Sequence, residues 1–549
     1  MSCRKTLVAL FCALALSPAA LAQPEVEEAL AGIRPEAIRA HMLFLADDLL
    51  EGRGTGSRGY ELAAKYVASR FEALGLEPAG SGGSYFQPVP LLRAKLTESE
   101  GSLALVRDGE RTELKYGEDF LLDPFTPEPE SSVTAPVAFV GFGITAPELG
   151  YDDYAGIDVR GKIVVQLSGA PASFPHNHRA YYSTSQVKQM NAVSRGAVGV
   201  LAVLTPEDER RAPWQDMVRA SKAASFRWVD GTGKPPDLRP EWRGSALLSR
   251  KSAETLFTRA PRPLAEVFET ATAGKPQSFD LPVQASLRTV GTRERAESPN
   301  VAAVLRGSDP KLRDEYVVLT AHLDHMGIGE PIEGDSIYNG AYDNASGIAA
   351  LLEVAGAFAS LPQRPRRSVL FLAVAAEEQG LQGSDYFARH PTVPIGKIVA
   401  NVNVDMFMMF APLHDVVGFG AEHTSLGQTA EQAARRLGVE ISPDPFPQEV
   451  IFVRSDQYSF VKQGIPSLLL TTGFQSEDPD GGGPLFLKWL RTHYHKPSDD
   501  LSQTFDFEAG AKFTRLNFLI ALQVAQEVAP PRWNEGDFFG GKFSRKPEL

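Results

Sequence analysis

The strongest constraint on this chain is a rhythm that sets in near residue 280, where apolar strands alternate with helices. Residues 316–321, 368–375, 398–404 and 466–470 are short apolar runs; 344–359 reads as an amphipathic or buried helix and 507–528 as a closing one. Strands this apolar must be buried on both faces, and helices between them supply the cover. The predicted class is α/β: a mostly parallel central sheet flanked by helices.

Such a sheet also dictates where chemistry collects, because ligands bind beyond the carboxyl ends of parallel strands. The first run leads into Ala321-His322-Leu323-Asp324, the second into Ala376-Glu377-Glu378 and the third into Asn403-Val404-Asp405-Met406. Between the first two, Gly340-Ala341-Tyr342-Asp343-Asn344 stands at a helix start. Taken singly, each motif has a plainer reading. His-x-Asp can be a local hydrogen bond, Glu-Glu a solvated face, Asp343 a helix cap and Asp405 a turn residue. Together they would gather the carboxylates of Asp343, Glu377, Glu378 and Asp405 beside His322. Partly buried like charges repel, and two divalent cations would remove the conflict. Histidine and carboxylate donors suit zinc, and a bridging carboxylate holds two ions ~3.5–4 Å apart. Thr492-His493-Tyr494-His495-Lys496-Pro497-Ser498-Asp499 offers a last ligand, with both histidines as candidates; the spacing to Asp499 favours His495.

At 549 residues the chain is too long for one ordinary core. Residues 125–275 are rich in Pro and Gly, with buried-strand candidates at 137–143 and 162–167 and a helix running into a strand over 190–203. They read as a separate β-rich domain. Residues 23–124, with a helical stretch over 34–76, would then be the N-terminal part of the catalytic domain and 276–549 its main body. Residues 1–22 read as a secretory signal: Arg4 and Lys5, an apolar stretch over 6–16, and the small-x-small site Ala20-Leu21-Ala22. The expectation is an exported protein, periplasmic or secreted, with no membrane anchor after cleavage. Cys3 and Cys12 both lie in that leader, so any metal site must draw on His, Asp and Glu. The net charge of −13, without a Lys/Arg cluster, argues against nucleic acid as a partner. No Gly-x-Ser-x-Gly elbow occurs, and the sequon Asn344-Ala345-Ser346 falls inside the proposed site.

His322-x-Asp324, Asp343-Asn344-x-Ser346-Gly347, Glu377-Glu378, Asp405 and His495-x-x-x-Asp499 together resemble, in type and order, the M28 family of zinc peptidases. Leu50-Glu51-Gly52-Arg53 and Gly54-Thr55-Gly56 are also similar to family members. The resemblance implies a zinc-peptidase fold of the phosphorylase/hydrolase-like kind and an aminopeptidase acting on peptides or proteins. It implies that Asp343 bridges two zinc ions, with His322 and Asp405 on one and Glu378 and His495 on the other. Glu377 would be general base and acid, and Asp324 would orient the His322 imidazole. The same family covers carboxypeptidases, dipeptidases, glutaminyl cyclases and non-catalytic binding proteins; the intact Glu377 and ligand set speak for an enzyme.

Val140-Gly141-Phe142-Gly143-Ile144, Tyr151-Asp152-Asp153-Tyr154 and Asp158-Val159-Arg160-Gly161-Lys162-Ile163-Val164 resemble a protease-associated (PA) domain, which is inserted into some M28 peptidases. Two departures stand out. Gln457 in Arg454-Ser455-Asp456-Gln457-Tyr458 replaces a frequent His. Phe452 and Val453 stand near where some relatives carry a tyrosine that steadies the oxyanion, which leaves Tyr458 and Arg454 as candidates. Asp456 reads as structural and Asp499 as a loop brace.

Overall fold

A computed structural model describes residues 23–275, 277–476 and 482–544. The expected leader over 1–22 lies outside the described residues.

Pro35 opens helix α1 (Pro35–Leu45), which buries Ile38, Met42 and Leu45 at helical spacing. A 3-10 turn over Asp48–Arg53 follows, its Leu49 N–H capped by the Asp47 side chain, and then α2 (Arg58–Ala73), capped by Ser57. The helical stretch expected over 34–76 is thus broken, because Glu51, Gly52 and Arg53 all have positive φ and leave the helical ladder. Gly59 permits the close crossing: a Cβ there would lie 1.7 Å from the Leu50 carbonyl oxygen.

The strands that matter are β1 (Phe86–Leu96), β2 (Ser102–Arg107), β3 (Glu110–Leu114), β4 (Phe120–Leu122) and β5 (Glu130–Phe139). Then come β6 (Ile163–Leu167), β7 (Gly199–Val203), β8 (Ser225–Trp228), β9 (Ser245–Leu248) and β10 (Phe279–Leu305). The site-bearing half adds β11 (Tyr316–His322), α3 (Ser346–Ser360), β12 (Ser368–Val374), β13 (Ile398–Val404), β14 (Asp415–Phe419), β15 (Ser467–Thr472) and α4 (Phe507–Gln526).

Two sheets share β10, a strand of 27 residues. Its first half pairs with β2 and β5, and its second half with β1 and β12. The first sheet runs β8-β1-β10-β12-β11-β13-β15-β14, and its four strands β12, β11, β13 and β15 are parallel. The second runs β3-β2-β10-β5-β6-β7-β9-β4. This second layer begins earlier than the boundary expected at 125, since β2, β3 and β4 lie in it. Conversely β8, inside 125–275, leaves it for the edge of the first sheet. The reason is burial: Phe226 and Trp228 pack into the core of the first sheet.

Every residue of β11 and β12 is buried. Val317, Leu319 and Ala321 face the core lined by α3 and α4, while Tyr316 and Val318 face Phe387 and Phe460 on the other side. Two apolar faces are what a strand between two helical layers requires. Among the described residues no helix is long and apolar enough to cross a membrane.

Candidate metal centre

The parallel strands deliver their polar ends to one rim. His322 is the last residue of β11, Glu377 and Glu378 follow β12, and Asp405 follows β13. Asp343 sits in the turn Ala341–Ala345 that leads into α3. His495 reaches the same point from the loop after the helix Gly483–Thr492. Asp343 is the hub. Its Oδ1 lies 3.1 Å from His322 Nε2, and its Oδ2 lies 3.3 Å from His495 Nε2. His322 Nε2 is also 3.1 Å from Asp405 Oδ1, and His495 Nε2 is 2.9 Å from Glu378 Oε2. Donor atoms of His322, Asp343 and Glu378 all fall within 4.8 Å of one another. The geometry therefore has two lobes, His322–Asp405 and His495–Glu378, with one Asp343 oxygen turned to each.

The electrostatics show which charge the site favours. Burial alone would lower the His322 imidazole, but the Asp405 and Asp343 carboxylates outweigh it and hold it well above its usual value. Burial likewise opposes the charge on His495, yet Glu378 and Asp343 raise it to about 10. Asp343 is held well below the usual carboxylate range against its burial by His322 and His495, and Glu378 falls to about 2 beside His495 and His325. Glu377 goes the other way: burial, then the carboxylates of Asp456, Glu378 and Asp405, push it well above the carboxylate range. A group of carboxylates that holds its imidazoles so strongly in the charged form is a site built for positive charge. Nitrogen and oxygen donors in this mixture fit zinc.

The framework around these donors is heavily hydrogen-bonded. The Asp324 carboxylate accepts the N–H of Glu377 at 3.0 Å and of Glu378 at 3.4 Å, and a bond from Thr55 Oγ1 at 3.2 Å. Its expected role behind His322 is corrected in part. His322 Nδ1 meets the backbone carbonyl of Asp324 at 3.2 Å, while the Asp324 carboxylate is 4.0 Å away. Asp499 accepts the N–H groups of Tyr342 and Asp343 at 2.9 and 3.1 Å, so it braces the hub's turn. Asn344 is fully buried; it donates to Val404 O and accepts from Gly347 N, tying β13 to α3. Ser455 Oγ donates to Asp405 Oδ2 at 2.6 Å and is itself held by Asn403 Nδ2 at 2.8 Å. The same Asn403 amide reaches Gln457 Oε1 at 2.9 Å, which gives Gln457 a structural place beneath Asp405.

His493 bonds Ser498 Oγ instead and stays out of the cluster. Asp456 is fully buried beside Asp405 and Asp324, and burial with those neighbours raises it to about 7. Tyr458 turns away from the site towards Phe539 and Phe543, so it is not available to an oxyanion. Arg454 is half exposed and bonds Glu449 O. Tyr494, unassigned in the sequence reading, stacks on His495 with ring centroids 3.7 Å apart, and its phenol lies within the fields of Asp343, Arg454, Glu378 and Glu377. Arg53, Ser455 and His325 likewise had no role from the sequence, although Arg53 and Ser455 stand in the motifs quoted above and His325, like Tyr494, adjoins a proposed site residue.

The class is defined first by the fold. The structure is similar to that of an aminopeptidase from Aneurinibacillus sp. strain AM-1, with a TM-score of 0.55 at 20% identity over 91% of this chain and 96% of that one. A likeness at this identity fixes the α/β architecture alone. The sequence goes further: residues 300–519 match the model of Peptidase family M28, and every member of the two lobes lies within them. A probable zinc metalloprotease of Pyrenophora tritici-repentis is 26% identical over 269 residues, 44% of this chain and 61% of the relative. Aminopeptidase Y of Saccharomyces cerevisiae is 27% identical over 218 residues, 38% of this chain and 36% of the relative. The chain thus spans less than two thirds of these relatives' length. The comparisons support M28 zinc-metalloprotease kinship for the segment that bears the site.

Proposed function

We propose that this chain is an exported zinc-dependent aminopeptidase with a two-ion centre. The observation that carries the reading is Asp343, whose two oxygens face two separate His–carboxylate pairs. His322 and Asp405 would hold one ion, Glu378 and His495 the other, and Asp343 both. When bound, two such ions polarise a peptide carbonyl and acidify water. The chain's own residues supply the rest. Glu377 lies beside the lobes on a backbone pinned by Asp324. Its raised proton affinity suits a group that takes a proton from water and passes it to the leaving amine. Tyr494, whose ring stacks on His495, is the neutral donor assigned to a developing oxyanion. The second sheet would be the PA-like insertion that shapes access to the rim.

Aminopeptidase action is favoured by the similarity to aminopeptidase Y. The test is cleavage of a defined peptide with its amino end free or blocked, and its carboxyl end free or blocked. Loss of cleavage on amino blocking alone is expected, together with inhibition by a chelator and recovery with zinc. Cleavage that depends on a free carboxyl end instead would reject the aminopeptidase assignment. Glu377→Gln should keep its metal and fold but lose ~10²–10⁴ in rate; an unchanged rate removes Glu377 as the base.

A further inference from the structure

His325 lies one residue past Asp324 and has no part in the ligand set above. Its side chain is fully buried. Nδ1 is 2.7 Å from Glu378 Oε1 and 3.9 Å from Asp343 Oδ2. Nε2 has no hydrogen-bond partner among the described residues. The ring is locked by its surroundings. A Cβ on Gly340 would come within 2.4 Å of its Cγ, so only glycine lets this turn lie against the imidazole. The backbone N–H of His325 bonds Arg53 O at 3.3 Å, and the ring stands edge-on to His495 at 5.8 Å.

Glu378 is therefore clasped on both sides. Its Oε2 faces His495 and the Asp343 hub, while its Oε1 faces His325 Nδ1. Asp405 shows the same arrangement in the other lobe: Oδ1 faces His322 and Oδ2 takes the Ser455 hydroxyl. A carboxylate whose outer oxygen accepts a fixed hydrogen bond cannot rotate freely, and such outer partners set ligand orientation and affinity. We propose that His325 is a positioning residue that holds Glu378 by an Nδ1–H···Oε1 hydrogen bond, so that the His495–Glu378 lobe is pre-formed for its ion. The inference rests on the two-ion reading. It assigns Nδ1 as the protonated nitrogen, which leaves the unpartnered Nε2 as a lone pair.

The test uses the full chain, stripped of metal and titrated with Zn²⁺ or Co²⁺, with stoichiometry, affinity and the cobalt absorption spectrum as readouts. His325→Leu removes the donor at similar size. His325→Asn places an amide N–H near the position of Nδ1–H. In the leucine variant one of the two ions should lose ~10–100-fold in affinity while the other is retained, and the cobalt band of the affected lobe should shift. The asparagine variant should recover most of that affinity. Equal affinity in wild type and His325→Leu overturns the proposal, and so does an asparagine variant as weak as leucine, since that pattern reflects packing alone. Wild-type protein that takes up no second ion overturns the two-ion reading along with it. The melting temperature of the stripped variants shows whether each folds; His325→Asn keeps the test decisive if the leucine variant does not.

Discussion

Replacing Arg53 by Met should be among the most damaging single changes in this chain. The Arg53 guanidinium is 1% exposed and lies some 270 residues in sequence from most of what it holds. It donates to Leu323 O at 2.9 Å, Asn339 O at 2.7 Å and Gly340 O at 2.9 Å, and also to Leu45 O. Methionine fills much of the volume and donates nothing, so the Leu45, Leu323 and Asn339 carbonyls lose this partner, while Gly340 O keeps the Ala345 N–H at 3.1 Å. Each abandoned acceptor costs about 2 kcal/mol. Against this, the variant no longer buries a cation. Burial pulls Arg53 down to about 10 even though Asp499, Asp324, Asp343 and Glu378 pull it up. A displacement of that size corresponds to about 3 kcal/mol of unfavourable environment. With three acceptors abandoned, the net loss is about 3 kcal/mol, at the upper end of ordinary single-residue changes. Urea unfolding of metal-stripped protein measures it, and the transition that carries the first sheet should shift at constant slope. The Leu323, Asn339 and Gly340 carbonyls flank His322, His325 and Asp343, so metal affinity should fall as well. Arg53→Lys, with no fork to span these acceptors, should recover less than half of the loss. A loss below about 1 kcal/mol for Arg53→Met would refute the reasoning, because it would show that the carbonyls are satisfied without the guanidinium.

Two further outcomes follow from the same contacts. Ser455→Ala takes the donor from Asp405 Oδ2 and the acceptor from Asn403 Nδ2, so it should cost about 1–2 kcal/mol of stability and weaken the ion of the His322 lobe about 10-fold; metal titration with a chromophoric chelator reads the second effect. In the second sheet, burial lowers Lys188 to about 7, so its contribution is present above pH ~10.5 and is lost as pH falls through about 7. Stability should therefore rise between pH 7 and 10, and Lys188→Met should abolish that rise in pH-dependent unfolding; persistence of the rise in the variant would place its source elsewhere.

Much of the site was legible in the chain because its ligands sit where strand periodicity puts them. An apolar run that ends in His322, Glu377-Glu378 or Asp405 states both the strand and the rim, since parallel strands all expose the same end. The choice between His493 and His495 was open to spacing but settled in space: one ring turns to Ser498, the other to Asp343. The β-rich middle was visible in composition, yet its edges were not. Strand pairing is non-local, and nothing in residues 102–122 says that β2 and β4 join β10 and β9 rather than the first sheet.

The chain by itself determined the α/β class and the rim, which follow from local pattern and charge, and its resemblance to M28 peptidases implied five prospective ligands. Only the tertiary structure decided which groups hold those ligands still. Arg53 to Leu323, Ser455 to Asp405 and His325 to Glu378 are contacts between residues 270, 50 and 53 positions apart. A hydrogen bond of this kind leaves no periodic trace in sequence. It exists only once packing has brought its two ends into the same dry interior, where an unpaired polar group is costly.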